Sequence, residues 1–259
     1  MRVVFIGAGR VATHLAPAMQ RGGAEVMEVW SRTQASAERL AGRLRCKAVW
    51  DRLDAVTTDA DLYALCVKDS VLAEVICQLH VGREQALFVH TAGSMPLGLF
   101  ADAGHARGGV FYPMQTFSLD REVDFARIHF FLETASEADY PLLAQMAERL
   151  APPANIHPST SALRRRLHLA AVFACNFANH CCTLAGDLLA EAGLDFGILL
   201  PLVDETVAKL HQLPPREAQT GPAARGDENV MGVHRAMLAD RPDMQRLYTL
   251  LSKSIQSYD

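Results

Sequence analysis

The chain has 259 residues, half of them apolar, and its 25 Lys and Arg against 29 Asp and Glu give a formal charge of −4, which is enough apolar material for one large or two modest cores. Apart from Arg164-Arg165-Arg166 the basic residues are scattered, so no broad phosphate-binding face is evident and no nucleic-acid partner is expected. The six cysteines (Cys46, Cys66, Cys77, Cys175, Cys181, Cys182) lie mostly inside apolar runs without a C-x-x-C pair, which predicts reduced, buried thiols rather than a disulfide framework or a zinc site.

In chain order, residues 2–6, 25–30, 62–67, 87–91, 109–112 and 128–133 are short runs rich in Val, Phe, Leu and Ile and read as buried strands. Between several of them lie segments of helical period, Val11–Gly22, Gln34–Leu44, Ser70–Leu79 and Glu137–Leu150. That alternation predicts an α/β fold, a doubly wound, mainly parallel sheet. After Pro152-Pro153 the strand signal nearly ends, apart from a short piece at 155–157. A long helical pattern follows over Ser159–Ala192, closed by Gly193, then another over Asp195–Leu213, the loop QTGPAARGDENV (219–230) and two further helices. The domains expected are 1–153, a sheet domain, and 154–259, an all-helical one. The opening MRVVFIGAG lacks the apolar segment and cleavage site of a signal peptide, which predicts a cytoplasmic protein.

The first strand runs into Gly7-Ala8-Gly9-Arg10-Val11-Ala12, a G-x-G-x-x-A loop opening a helix. Gly7 permits the turn, Gly9 lets backbone approach a pyrophosphate, and Ala12 allows close helix–sheet packing while the N–H groups opening the helix, from Arg10 and Val11 on, face the anion. This predicts a dinucleotide site. About twenty residues on, where an NAD site carries an acidic residue, the second strand ends in Trp30-Ser31-Arg32-Thr33. A guanidinium with two hydroxyls beside it suits a ribose 2′-phosphate, so NADP(H) is the cofactor expected, bound by Ser31, Arg32 and Thr33; the alternative is that Thr33 caps the next helix and Arg32 is solvated.

Ligands of such sheets bind outside the carboxyl ends of the strands. The loops Val67-Lys68-Asp69-Ser70, His90-Thr91-Ala92-Gly93-Ser94 and Tyr112-Pro113-Met114-Gln115-Thr116 follow successive strands. Val67, Lys68, Thr91, Ala92 and Gly93 are therefore candidates for the cofactor, and Ser94, Gln115 and Thr116 for the substrate. Helix capping by Asp69 and Ser70, a turn at Gly93 and a strand end at Pro113 are the alternatives.

Leu167–Gly186 is apolar but holds His168, Asn176, Asn179, His180 and Thr183, too many polar groups for a membrane span. A soluble, nearly all-round-buried helix is expected. At about 100° per residue, His168, Asn176 and Asn179 fall within an arc of about 80°, with His180 about 40° beyond Asn176. His168 lies about 18 Å along the axis from His180, and asparagine is a poor ligand for soft metals, so no metal site is expected. The polar stripe either satisfies a helix interface or forms one wall of an active site. In the second case His168 protonates a carbonyl or imine, Asn176 holds it, and Asn179 contacts the substrate. So apolar a helix needs more cover than its own chain readily provides, which predicts a homodimer through the C-terminal helices.

Taken together and in order, GAGRVA, WSRT, HTAGS, YPMQTFS, LHLAAVFACNFANH and TGPAARGD resemble a bacterial family that pairs a Rossmann-like NADP-binding domain with a helical C-terminal domain of unknown function. Its members are often labelled NADP oxidoreductases of the deazaflavin-coenzyme-dependent type. The architecture is similar to pyrroline-5-carboxylate reductase, ketopantoate reductase and β-hydroxyacid dehydrogenases, which pair through the helical region. In the last two, a lysine on the first long C-terminal helix polarises the carbonyl; this chain has no lysine between Lys68 and Lys209, and His168 and Asn176 stand at the matching stripe. The resemblance implies an NADP(H)-dependent reductase of a small carbonyl or imine compound. The rival reading is a non-catalytic NADP(H)-binding redox sensor or regulatory protein. In the TGPAARGD loop, Arg225 either meets an acidic substrate or belongs to a surface Arg–Asp loop.

Overall fold

The computed structural model describes residues 1–257. Strands β1 (Arg2–Ile6), β2 (Glu25–Ser31), β3 (Lys47–Trp50), β4 (Leu62–Leu65), β5 (Leu87–His90), β6 (Gly108–Met114), β7 (His129–Thr134) and β8 (Ile156–Pro158) form one sheet in the order β3-β2-β1-β4-β5-β6-β7-β8. All neighbours are parallel except β6 and β7. Helices α1 (Arg10–Arg21), α2 (Gln34–Leu44), α3 (Leu72–Leu79), the single turn α4 (Leu99–Asp102) and α5 (Tyr140–Glu148) connect them. The fold is α/β, doubly wound, as the alternation of runs predicts.

Side chains alternate across each strand, so β1 serves two cores. Val3 and Phe5 face α1, α2 and α5 with Leu15, Leu40 and Leu143, whereas Val4 and Ile6 face α3 and α4 with Ile76 and Phe100. Burial on both faces is why the inner strands read as unbroken apolar runs. Strand β3 is different: in KAVW only Val49 is buried. Its last residue, Trp50, is 42% exposed and lies opposite Ser31 in the β2–β3 register, while Trp30 beside Ser31 is buried.

The chain divides into two compact units, Met1–Cys175 and Asn176 onward. The division falls inside one continuous helix, Ser161–Glu191, made of α6 (Ser161–Ala171), a π-helical segment Val172–Phe177, and α7 (Ala178–Glu191). A π segment is wound less tightly than an α-helix, so the angles expected at 100° per residue between His168 and the asparagines do not hold across it. This helix is long and apolar enough to cross a membrane by length and composition, yet no part of its most apolar window is buried. Within the single chain the helix is thus not buried, and the cover expected for it does not come from its own chain. A unit of about eighty residues has too much surface for its volume to enclose one of its own helices.

In the second unit α7 is followed by α8 (Leu200–Leu210), α9 (Glu228–Met237) and α10 (Pro242–Gln256). Gly193, in the left-handed region, ends α7, and Asp227 caps α9 by accepting the Val230 N–H at 3.2 Å. His234 Nδ1 lies 3.0 Å from the Tyr248 hydroxyl, and Gln245 donates to the Arg235 carbonyl at 2.7 Å, joining α9 to α10. All six thiols are free, but Cys77, Cys175 and Cys181 are exposed rather than buried.

Candidate functional site

The glycine loop meets the demands of a dinucleotide site. Gly7 has φ +112°, and a Cβ there would lie 2.7 Å from the Cys66 carbonyl carbon, so the turn itself requires glycine. Gly9 is different: a Cβ there would meet only the Cys66 carbonyl oxygen, at 4.0 Å. The protein's own packing does not demand that glycine, whereas a backbone that must admit a pyrophosphate does. Ala12 is fully buried against the sheet, and the N–H groups of Arg10, Val11 and Ala12 open α1 with no carbonyl one turn before them to accept. Exposed Arg32 makes no ion pair among the described residues, and Thr33 stands at the N-cap of α2 without a side-chain capping bond. Both remain available for a 2′-phosphate beside Ser31. The residues present fit NADP(H).

The loops after β4, β5 and β6 supply the other end. A Cβ on Gly7 would lie 3.2 Å from the Val67 N, which brings the glycine loop to Val67-Lys68. The Thr91 hydroxyl donates to Cys66 Sγ at 3.8 Å, and burial pushes that thiol up to about 12. The Ala92 N–H donates to His90 Nδ1 at 3.2 Å; burial, reinforced by the Arg164 charge, pulls that imidazole down to about 3, so it is neutral. The Ser94 hydroxyl donates to the Asp69 carboxylate, which ties the β5 loop to the β4 loop. Gln115 Oε1 accepts the Thr116 N–H at 2.8 Å and lies 3.4 Å from its hydroxyl, on an exposed turn.

His168 sits against the β5 loop. A Cβ on Gly93 would lie 2.8 Å from His168 Nδ1 and 2.9 Å from the ring of Tyr112, so only glycine lets the two side chains meet there. The Tyr112 hydroxyl is 3.5 Å from His168 Nδ1. Strand alternation puts Val110, Tyr112, Phe131 and Glu133 on one face, with Leu167 packed on the first three. Along that face α6 keeps step with β6. Four helical residues from Arg164 to His168 rise roughly 6 Å, and two strand residues from Val110 to Tyr112 roughly 6.6 Å.

The lower rung is an ion pair. Arg164 is fully buried; it donates to Glu133 and to the Met95 carbonyl. The Ser161 N–H and hydroxyl donate to the same carboxylate at 2.9 and 3.0 Å, and the Leu97 N–H donates to Ser161 Oγ at 2.9 Å. Helix α6, strand β7 and the loop before α4 are thus fastened one turn below His168. Sequence reasoning missed Tyr112, placed only within a loop, and Arg164, hidden in a run of three arginines of which Arg165 and Arg166 are exposed.

Asn176, Asn179 and Arg225 belong to the second unit. Asn176 lies in the π segment and Asn179 in α7, both exposed. Exposed Arg225 is not paired with Asp227, whose carboxylate caps α9 instead. No group of three or more His, Cys, Asp or Glu able to hold a metal ion occurs among the described residues.

A model of a Rossmann-like domain matches residues 1–111, and one of a domain of unknown function, DUF2520, matches residues 128–255. No curated protein matches the chain. Among solved structures, a Bacteroides fragilis protein described as a "putative NADP oxidoreductase" is 49% identical with a TM-score of 0.93, covering 98% of this chain and 97% of that one. A Thermotoga maritima protein is 22% identical with a TM-score of 0.70, covering 98% and 96%. An imine reductase from Myxococcus stipitatus, in complex with NADP+, is 16% identical with a TM-score of 0.71, covering 99% and 93%, and shares the fold. A Rossmann-like domain followed by a DUF2520 domain, at 49% identity over nearly the whole length, means that the chain belongs to the family of the Bacteroides fragilis protein.

Proposed function

We propose that the chain is an NADP(H)-dependent reductase of a small carbonyl or imine compound. NADP(H) is its cofactor, held by the Gly7–Ala12 loop, Ser31, Arg32 and Thr33, with Val67, Lys68, Thr91, Ala92 and Gly93 toward the nicotinamide. When bound and reduced it supplies a hydride. The observation that carries the reading is the meeting of His168 and Tyr112 over Gly93, across strand ends on the same edge of the sheet as the glycine loop. A substrate there has a titratable donor for the oxygen or nitrogen on which charge develops. Ser94, Gln115 and Thr116 border it. NADPH oxidation against a panel of carbonyl, imine and deazaflavin compounds tests this. Turnover with one member supports a reductase; tight NADPH binding without any turnover points to the sensor reading instead.

Cofactor preference follows from Arg32. NADPH is expected to bind more tightly than NADH, and Arg32→Ala to remove most of the difference, roughly 1.5–3 kcal/mol for a charge-assisted contact. Calorimetry giving equal affinities in the unmutated protein sinks the assignment.

The assembly proposed is a homodimer through the C-terminal helices. Leu169, Leu188, Leu202, Val207, Val233 and Met237 are all exposed, and between Leu167 and Ala190 the only formally charged residue is Asp187. A helix so apolar and so nearly uncharged over that stretch suits another copy of itself, because a two-fold axis places like patches together. A lipid bilayer does not suit it, since the first turns of the same helix carry the Arg164–Glu133 pair. Light scattering is expected to give twice the chain mass at micromolar concentration; a monomer there rejects the proposal.

A further inference from the structure

A histidine acid has two ring nitrogens, and the partner of one decides where the proton sits on the other. His168 Nδ1 is 3.5 Å from the Tyr112 hydroxyl, with the rings edge to face. Burial holds the Tyr112 phenol above its usual range, although the Arg164 charge pulls the other way, so at neutral pH it keeps a proton that it can donate to Nδ1 when that nitrogen is unprotonated. In that arrangement the neutral imidazole carries its proton on Nε2. The charged and titratable groups around the pair are Arg164 one turn earlier, Glu133 paired to it on β7, and neutral His90 at the end of β5.

Building on the reductase reading, we propose that Tyr112 and His168 form a two-residue proton relay. The substrate carbon accepts the hydride, the π bond opens onto oxygen or nitrogen, and that atom takes the proton from Nε2. As Nε2 gives up its proton, the phenol proton passes to Nδ1, so the imidazole stays neutral throughout and never becomes an anion. Tyr112 is left as a phenolate, which the Arg164 charge favours, and recovers its proton from solvent as product leaves. A phenol is a far stronger acid than the alcohol formed, so the transfer runs downhill. The relay lets the neutral imidazole act as the donor. Gly93 is what permits it: any side chain there would occupy the space in which the two rings meet.

The test reads the ring before it reads the reaction. In the full-length protein, with no cofactor added, nitrogen-resolved NMR of the histidine side chains is recorded for the unmutated chain and for Tyr112→Phe, and His168 is assigned by the signal lost in His168→Gln. The expected result is a neutral His168 protonated on Nε2 alone, changing to a mixture of tautomers in Tyr112→Phe. If that variant does not fold, the Tyr112 ring-carbon shift in His168→Gln reports on the same bond from the other side. An unchanged tautomer in Tyr112→Phe, or an unchanged Tyr112 shift in His168→Gln, overturns the pair. Once a substrate is in hand, Tyr112→Phe is expected to lower kcat on the order of 10²-fold with KM held, most strongly at high pH. A tautomer change with undiminished kcat overturns the relay. Failure of the unmutated chain to oxidise NADPH with any panel compound removes the reductase reading on its own, and the ring signals are unaffected by it.

Discussion

His168→Gln is expected to lower NADPH-dependent turnover by roughly 10²–10⁴, the range for one general acid, while NADPH affinity and melting temperature stay near those of the unmutated chain. Glutamine keeps a polar group against Gly93 and Tyr112 but cannot deliver a proton at neutral pH. The half-buried position of His168 makes the two roles separable. A purely structural histidine would show its loss in melting temperature or in dimer mass, because its hydrogen-bond partners would be left unpaired. A variant that melts early and retains its kcat removes His168 from the chemistry.

Glu133→Ala is expected to destabilise the chain by roughly 3–5 kcal/mol, because it leaves a fully buried guanidinium without its carboxylate. In a protein of this length that corresponds to a fall in melting temperature of about 6–10 °C. Ser161 loses the acceptor for its N–H and hydroxyl at the same time. Asp54→Ala is the matched control. The Arg52–Asp54 pair has the same charges but is mostly solvent-exposed on both sides, and such pairs contribute at most about 1 kcal/mol. Thermal denaturation of the two variants side by side checks the contrast; equal, small shifts contradict the account of Arg164 as a buried anchor.

How much of this was legible beforehand depended on whether the signal was local. The strand–turn–helix setting of the glycine loop and the parallel crossovers are written in runs of a few residues, and both took the form expected. Strand β3 escaped because it is only four residues long and buries Val49 alone. The π segment was invisible because a shift in backbone hydrogen bonding leaves the hydrophobic pattern of LAAVFACNF unchanged. Arg164 looked like one of three solvated arginines; only its spacing of four from His168 hinted that the two share a face. Tyr112 meets His168 across 56 residues of sequence, a contact no periodicity encodes. Apolar composition predicted burial for the long helix, but composition says that a surface requires cover and leaves open whether the same chain provides it.

The chain's two tryptophans make the proposed 2′-phosphate corner optically addressable. Trp30 precedes Ser31 directly, and Trp50 is its partner across β2 and β3, so every indole in the protein lies around the strand tips that carry Arg32. One is sealed in the sheet and the other open to solvent, which separates their emission into a blue and a red component. The intrinsic fluorescence of the unlabelled chain is therefore a local gauge of that corner, and its red component belongs to the side chain a bound nucleotide would shield from water.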